Sequence, residues 1–378
     1  MALTEKMEKY LVSSHEEAKN IVRELCRIPA PSHHEEKRAA WCEQWFRQAG
    51  GKKVFVDEAL NAVCEHNVTE DNDVVVMMAH IDTVFPDLEP MPFEEKDGLF
   101  YSPGVTDDTG NLASLLIAVR YVLQNDIKTS CGMVFVANSC EEGLGNLKGS
   151  RRVMDDYAGR VRNFVTLDST CMNRLITKAV GSHRYKVAVR TEGGHSYGNF
   201  GNRNAIHALA AMISLLYSIK VPVDGDSKTT YNVGTISGGT SVNTIAQNAE
   251  MLYEYRSTSR KCLARMEEFF LKTVETFKAA GVEVEVEKVG DRPCSGEVNG
   301  EALEALRKRY RDSVTDVLAL ETVDGAGSTD CNIPLSRGVP AICFGVVRGS
   351  GVHTRDEKIE TASLHDGCRL LLDFLYRP

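Results

Sequence analysis

The sequence has no Cys-x-x-Cys pair, no apolar run near the roughly 20 residues a membrane helix needs, and no surplus of basic residues. Each absence excludes something. The 11 cysteines are scattered singly, and Cys131, Cys140 and Cys343 lie in apolar, strand-like runs, as reduced core cysteines do. Lysine and arginine total 44 against 53 aspartates and glutamates, a formal net charge of -9. Such a field repels phosphate backbones and anionic lipid, so neither nucleic acid nor a membrane is an expected partner. The opening "MALTEKMEKYLVSSHEEAKN" is charged and helical rather than apolar, so no signal peptide is read there and a cytoplasmic location is expected. Internal repeats and low-complexity segments are also missing.

What is present fits an ordinary globular chain. Hydrophobic residues make up 43% and charged residues 26% of 378 positions, enough for two domains with a large core. Helical spacing runs over 14–28 behind a serine cap, ended by Pro29 and Pro31, and again over 33–49. Strands at 53–57, 74–79, 132–138 and 163–167 then alternate with helices at 109–124 and 146–156. That order predicts an α/β fold, a mixed sheet covered by helices. After Gly181 the pattern becomes strand 183–191, helix 203–219, strands 229–237 and 248–256, helix 260–280 and the strand "VEVEVEK", a β-α-β-β-α-β unit of ferredoxin-like type. The earlier style returns with a helix at 299–312, the strand "AICFGVV" and a helix at 360–376. The expected organisation is a discontinuous first domain, 1–180 and 290–378, with an inserted domain at 181–289.

The chemistry lies at strand ends. "VVVMMAHIDTVFPD", residues 74–87, begins as a buried strand and ends on His80 and Asp82, which project from one face. Asp107 and Asp108 precede a helix, Glu141 and Glu142 follow the 132–138 strand, Asp168 ends the next strand, and His353 follows the last one. Each has an ordinary alternative: a surface pair, helix caps, solvated loop acids, a turn residue, a loop histidine. Together they sit at the carboxyl ends of strands, where ligands gather in an open α/β sheet. Two histidines with several carboxylates form a nitrogen and oxygen donor set suited to zinc, and also to manganese or cobalt. Carboxylates packed this closely repel one another without cations, and two divalent ions would supply the positive charge.

The order His-x-Asp, Asp-Asp, Glu-Glu, Asp, His, interrupted by the β-α-β-β-α-β insert, resembles the dinuclear zinc exopeptidases that include peptidase T, carnosinase and succinyl-diaminopimelate desuccinylase. The resemblance covers nearly the whole chain. It implies that Asp107 bridges two metals, that His80 and Asp168 complete one and Glu142 and His353 the other, and that Glu141 is the general base. Asp82 would accept the far N–H of His80, and the Asp107–Asp108 bond would be cis. His195 in "GGHSYGNFGNRNAI" resembles the histidine that steadies the substrate carbonyl, and Asn243 and Arg256 resemble substrate-gripping groups. His195 equally suits a plain loop, and Arg256 a surface ion pair. "GAGSTDCN", residues 325–332, resembles the family's glycine-rich loop.

Two departures from the family pattern matter. Thr109 stands where many relatives carry lysine, and Asp168 is aspartate rather than glutamate, which resembles the aminopeptidase and dipeptidase branch. The expected activity is therefore hydrolysis of short peptides by an aminopeptidase, di- or tripeptidase of peptidase T type, through a water activated between two divalent ions. The alternative is an N-acyl amino acid amidohydrolase, and the remote one a catalytically inactive binding relative. The helix "RNAIHALAAMISLLYSIK" carries more apolar residues than one buried stripe requires, so the insert is expected to act as a lid and as a homodimer surface. In such a dimer His195 could reach the neighbouring subunit's metals.

Overall fold

The computed structural model describes residues 3–125, 129 and 131–377, and the chain divides into two compact units, Met1–Ala179 with Gly296–Pro378, and Val180–Ser295. The second unit ends a few residues beyond the boundary read from the pattern. Its last strand stays paired as far as Arg292, across a register shift between Lys288 and Gly290.

The first unit is built on an eight-stranded mixed sheet. Its order is Lys53–Val56, Ala62–His66, Gly132–Asn138, Val74–His80, Val161–Leu167, Ala341–Phe344, Arg174–Ala179 and Val323–Gly327. The central strand Val74–His80 is parallel to both neighbours, and Ala341–Phe344 is parallel to Val161–Leu167. All four strands therefore end at one edge. Both faces of the sheet are covered, which is why the central strands read as unbroken apolar runs. Met77, Ala79, Phe135, Val165 and Phe344 pack among the helices Glu5–Leu25, Gly110–Gln124 and Ser363–Tyr376. Val74, Val76, Met78, Val134 and Cys343 point the other way, toward Lys148–Asp156 and Asn332–Ser336.

Several elements differ from the sequence pattern. The first helix begins at Glu5, not 14, because Thr4 Oγ1 caps the Met7 N–H and Glu5 and Glu8 favour the N-terminal turn; Ser14 is a buried mid-helix residue. The helix expected at 299–312 continues to Leu318. "GAGSTDCN" is not wholly a loop: Gly325–Gly327 ends an edge strand parallel to Arg174–Ala179, and Asn332 starts a short helix. Among the described residues no helix is long and apolar enough to cross a membrane.

In the second unit, four antiparallel strands run in the order Thr229–Gly238, Asn248–Ser257, Gly181–Arg190 and Glu283–Arg292. Helices Ala205–Leu216 and Arg260–Ala279 cover one face, and Tyr185, Val187, Met251, Tyr253 and Phe270 fill the core between. The period-two alternation along Asn248–Ser257 buries Ala249, Met251, Tyr253 and Tyr255 and leaves Glu250 outside. Asn204 and Ser259 cap the two helices. Ile206, Leu215 and Tyr217, on and just after the first helix, stay exposed.

Candidate metal centre

Parallel strands deliver the donors to one place. His80 is the last residue of its strand, Glu141 and Glu142 follow Gly132–Asn138 by a tight turn, and Asp168 follows Val161–Leu167. Asp107 comes from the turn before helix Gly110–Gln124, where the Asp107–Asp108 peptide bond is cis. Gly104 opens that turn at φ +74, and a Cβ there would lie 2.5 Å from Thr83 Cγ2, so only glycine fits.

Asp107 is the hub. Its Oδ1 lies 2.8 Å from His80 Nε2, and its Oδ2 lies 3.2 Å from His353 Nε2. His353 Nε2 is also 3.2 Å from Glu142 Oε1. Donor atoms of His80, Asp107 and Glu142 all lie within 4.8 Å of one another, as do those of His80, Glu141 and Asp168. Thus His80, Asp107, Glu141, Glu142, Asp168 and His353 come together at one sheet edge. His80, Glu141 and Glu142 are buried, whereas the His353 side chain is half exposed.

A second group of buried acids holds the backbones that carry these donors. Asp108 Oδ2 accepts the His80 N–H at 3.0 Å while its Oδ1 takes the Asn111 amide. Asp82 accepts the N–H groups of Glu141 and Glu142, both at 3.0 Å, and the Ser32 hydroxyl at 2.7 Å. This changes the expected part of Asp82. His80 Nδ1 is 3.0 Å from the Asp82 backbone carbonyl and 3.4 Å from its carboxylate, so the carbonyl is the nearer acceptor and fixes the ring.

The electrostatics test whether cations fit. Burial, and then the Asp107 charge, push the Asp168 carboxyl up to about 8, and the same two causes raise Glu142. Asp107 moves the opposite way: burial opposes ionisation, but hydrogen bonds from His353 and His80 hold it well below the usual carboxylate range. Those bonds to Asp107 and Glu142 push His353 up to about 10, and acidic neighbours raise His80 despite its burial. Protein groups alone thus balance this cluster by holding protons. Divalent cations meet the same demand, and an imidazole and carboxylate set is a donor set they accept. The residues fit the group.

Thr109, in place of lysine, has its hydroxyl 3.3 Å from the guanidinium of Arg38, which also donates to the Ile81 carbonyl at 2.9 Å. Arg38 is buried, so a cation from another helix stands behind the His-x-Asp strand end. The sequence reading missed it, and also missed Asp330. That carboxylate accepts from Asn138 at 2.6 Å, and burial pushes it up to about 6. Arg38 had no visible signal among the helical charges, whereas Asp330 lay within the glycine-rich segment already singled out.

Of the residues expected in the inserted unit, His195 lies in a two-stranded ribbon, Gly194–His195 against Thr244–Ile245, and Asn243 immediately precedes the second strand, with its carbonyl accepting the Ser196 N–H. The His195 Nδ1 accepts the N–H groups of Tyr197 and Gly198, both at 3.2 Å, so in the neutral ring Nε2 carries the proton and is a donor. Arg256 is on a different strand and ion-paired to Glu254 at 3.0 Å.

Residues 76–377 match the profile of Peptidase family M20/M25/M40. The chain belongs to that family. It is therefore a hydrolase of the metallopeptidase kind, acting on peptide or amide bonds. The sequence is 25% identical over 361 residues to a succinyl-diaminopimelate desuccinylase from Corynebacterium glutamicum, covering 94% of this chain and 95% of that one. In fold it is similar to a tripeptidase from Staphylococcus aureus, at TM-score 0.77 and 23% identity, covering 95% of this chain and 97% of that one. It is similar also to the aminopeptidase PepT from Bacillus cereus, at TM-score 0.70 and 22% identity over the same shares.

Proposed function

We propose that this M20 enzyme is an exopeptidase that cleaves the peptide bond of short peptides, as an aminopeptidase, di- or tripeptidase using two divalent ions, zinc foremost and cobalt or manganese otherwise. One observation carries the reading: the two oxygens of Asp107 face two different histidines, so a single carboxylate serves two donor sets. His80, Asp168 and Asp107 would hold one ion, and Glu142, His353 and Asp107 the other. Ions bound there supply Lewis-acid polarisation of the substrate carbonyl and lower the pKa of water.

The chain's own groups do the rest. Glu141 takes the proton of the attacking water and passes it to the leaving amine. Asp82 keeps Glu141 and Glu142 in place through their N–H groups, and the Asp82 carbonyl holds the His80 ring. His195, as an Nε2–H donor, steadies the substrate carbonyl oxygen, with Asn243 and Arg256 as substrate contacts. The exposed apolar residues of the Ala205–Leu216 helix suit pairing with a second copy, with the inserted unit as the dimer surface.

Asp168 favours the peptidase branch, while the likeness to a desuccinylase over nearly the whole chain favours an N-acyl amino acid amidohydrolase as second reading. A panel of di- and tripeptides and N-acyl amino acids, assayed with zinc-, cobalt- and manganese-loaded protein, separates them. Release of the N-terminal residue from free-amino peptides is expected; turnover of N-acyl substrates alone contradicts the peptidase reading.

A further inference from the structure

His353 is poorly held by packing. Its side chain is half exposed, it sits in the irregular stretch between Ser350 and Lys358, and its backbone is left-handed at φ 62. A donor that must stay within a few tenths of an ångström of its partners needs another anchor. Glu357 is buried. Its Oε1 accepts the His353 N–H at 2.9 Å and its Oε2 accepts the Thr106 N–H at 3.2 Å. Thr106 immediately precedes Asp107. One carboxylate thus joins the backbone that carries the half-exposed histidine to the backbone that carries the hub aspartate.

The anchor is itself fixed. The Glu357 carbonyl accepts from the Ser102 N–H, Lys358–Glu360 pairs with Leu99–Tyr101, and the Thr106 hydroxyl donates to the Lys358 carbonyl. The carboxyl group presents one oxygen to each of the two loops, and among the described residues of these elements no other single side chain reaches both N–H groups.

We infer that Glu357 is the positioning residue of the ion site formed by His353, Glu142 and Asp107, acting through the backbones of His353 and Thr106. The assignment rests on the two-ion reading above. In Glu357→Gln the side chain keeps its shape but turns an NH2 group toward one of the two N–H donors, so one loop is released.

Cobalt(II) titration followed by visible absorption, with dialysis to count bound ions, tests this without turnover. The Gln variant should bind one equivalent as the parent does and the second about 10- to 100-fold more weakly, with a changed absorption band for that equivalent. Because Glu357 acts through His353 as well as Thr106, the double variant Glu357→Gln/His353→Ala should lose less affinity than the two single losses combined. Should the Gln variant not fold, Glu357→Asp, whose shorter arm cannot span both donors, should show the same selective loss. Parent-like binding of both equivalents with only a lowered Tm overturns the assignment, as do single losses that simply add in the double variant. A parent protein that binds a single equivalent overturns the two-ion reading itself, and this assignment with it.

Discussion

Glu141→Gln leaves the bound ions in place and lowers kcat about 10³-fold, because the amide keeps the shape of the side chain but cannot take a proton from water. Its carboxylate lies with the His80 imidazole and the Asp168 carboxylate, and its backbone N–H is held by Asp82, so the substitution disturbs neither the turn nor the groups around Asp107. KM for the preferred peptide should stay within a few-fold, since the change removes a transition-state function rather than ground-state binding. Steady-state kinetics beside metal analysis decides the matter. A Gln variant that retains a tenth or more of parent kcat, or that loses an ion, assigns the base elsewhere.

Asp107→Ala should strip the protein of both ions, whereas His80→Ala should remove one. The difference follows from geometry: Asp107 meets His80 through one oxygen and His353 through the other, while His80 meets only the first set. Folding should survive, because removing the Asp107 charge relieves a like-charge repulsion that helps to raise Asp168 and Glu142. Atomic emission analysis of dialysed protein, with circular dichroism as the fold control, gives the counts. An Asp107→Ala protein holding two ions contradicts the hub arrangement.

Much of this architecture is legible from residues alone where burial is two-sided. The runs at 74–80 and 132–138 are apolar on both faces because helices cover both faces, and no polar residue interrupts them before the strand ends. Ala62–His66 escaped notice because it carries Glu65 and His66, and Glu94–Lys96 because it is short, charged and exposed. The donors were legible because chemistry demands particular residue types at strand ends. Their supports were less so. His80 and Asp82 share a face by period two, yet the Asp82 carboxylate is claimed by N–H groups 59 and 60 positions further on, a pairing that only the parallel strands create. Glu357, four residues after His353 and among other charges, reads in sequence as one more loop acid. Arg38 has the same disguise in its helix.

The central claim is that one carboxylate organises two ions, and diffraction from zinc-loaded crystals at the zinc absorption edge tests it most directly. The account predicts two anomalous peaks about 3.5 Å apart, one beside each oxygen of Asp107, with His80 and Asp168 at the first and Glu142 and His353 at the second. A single peak, or two peaks of which either lies away from Asp107, would contradict it.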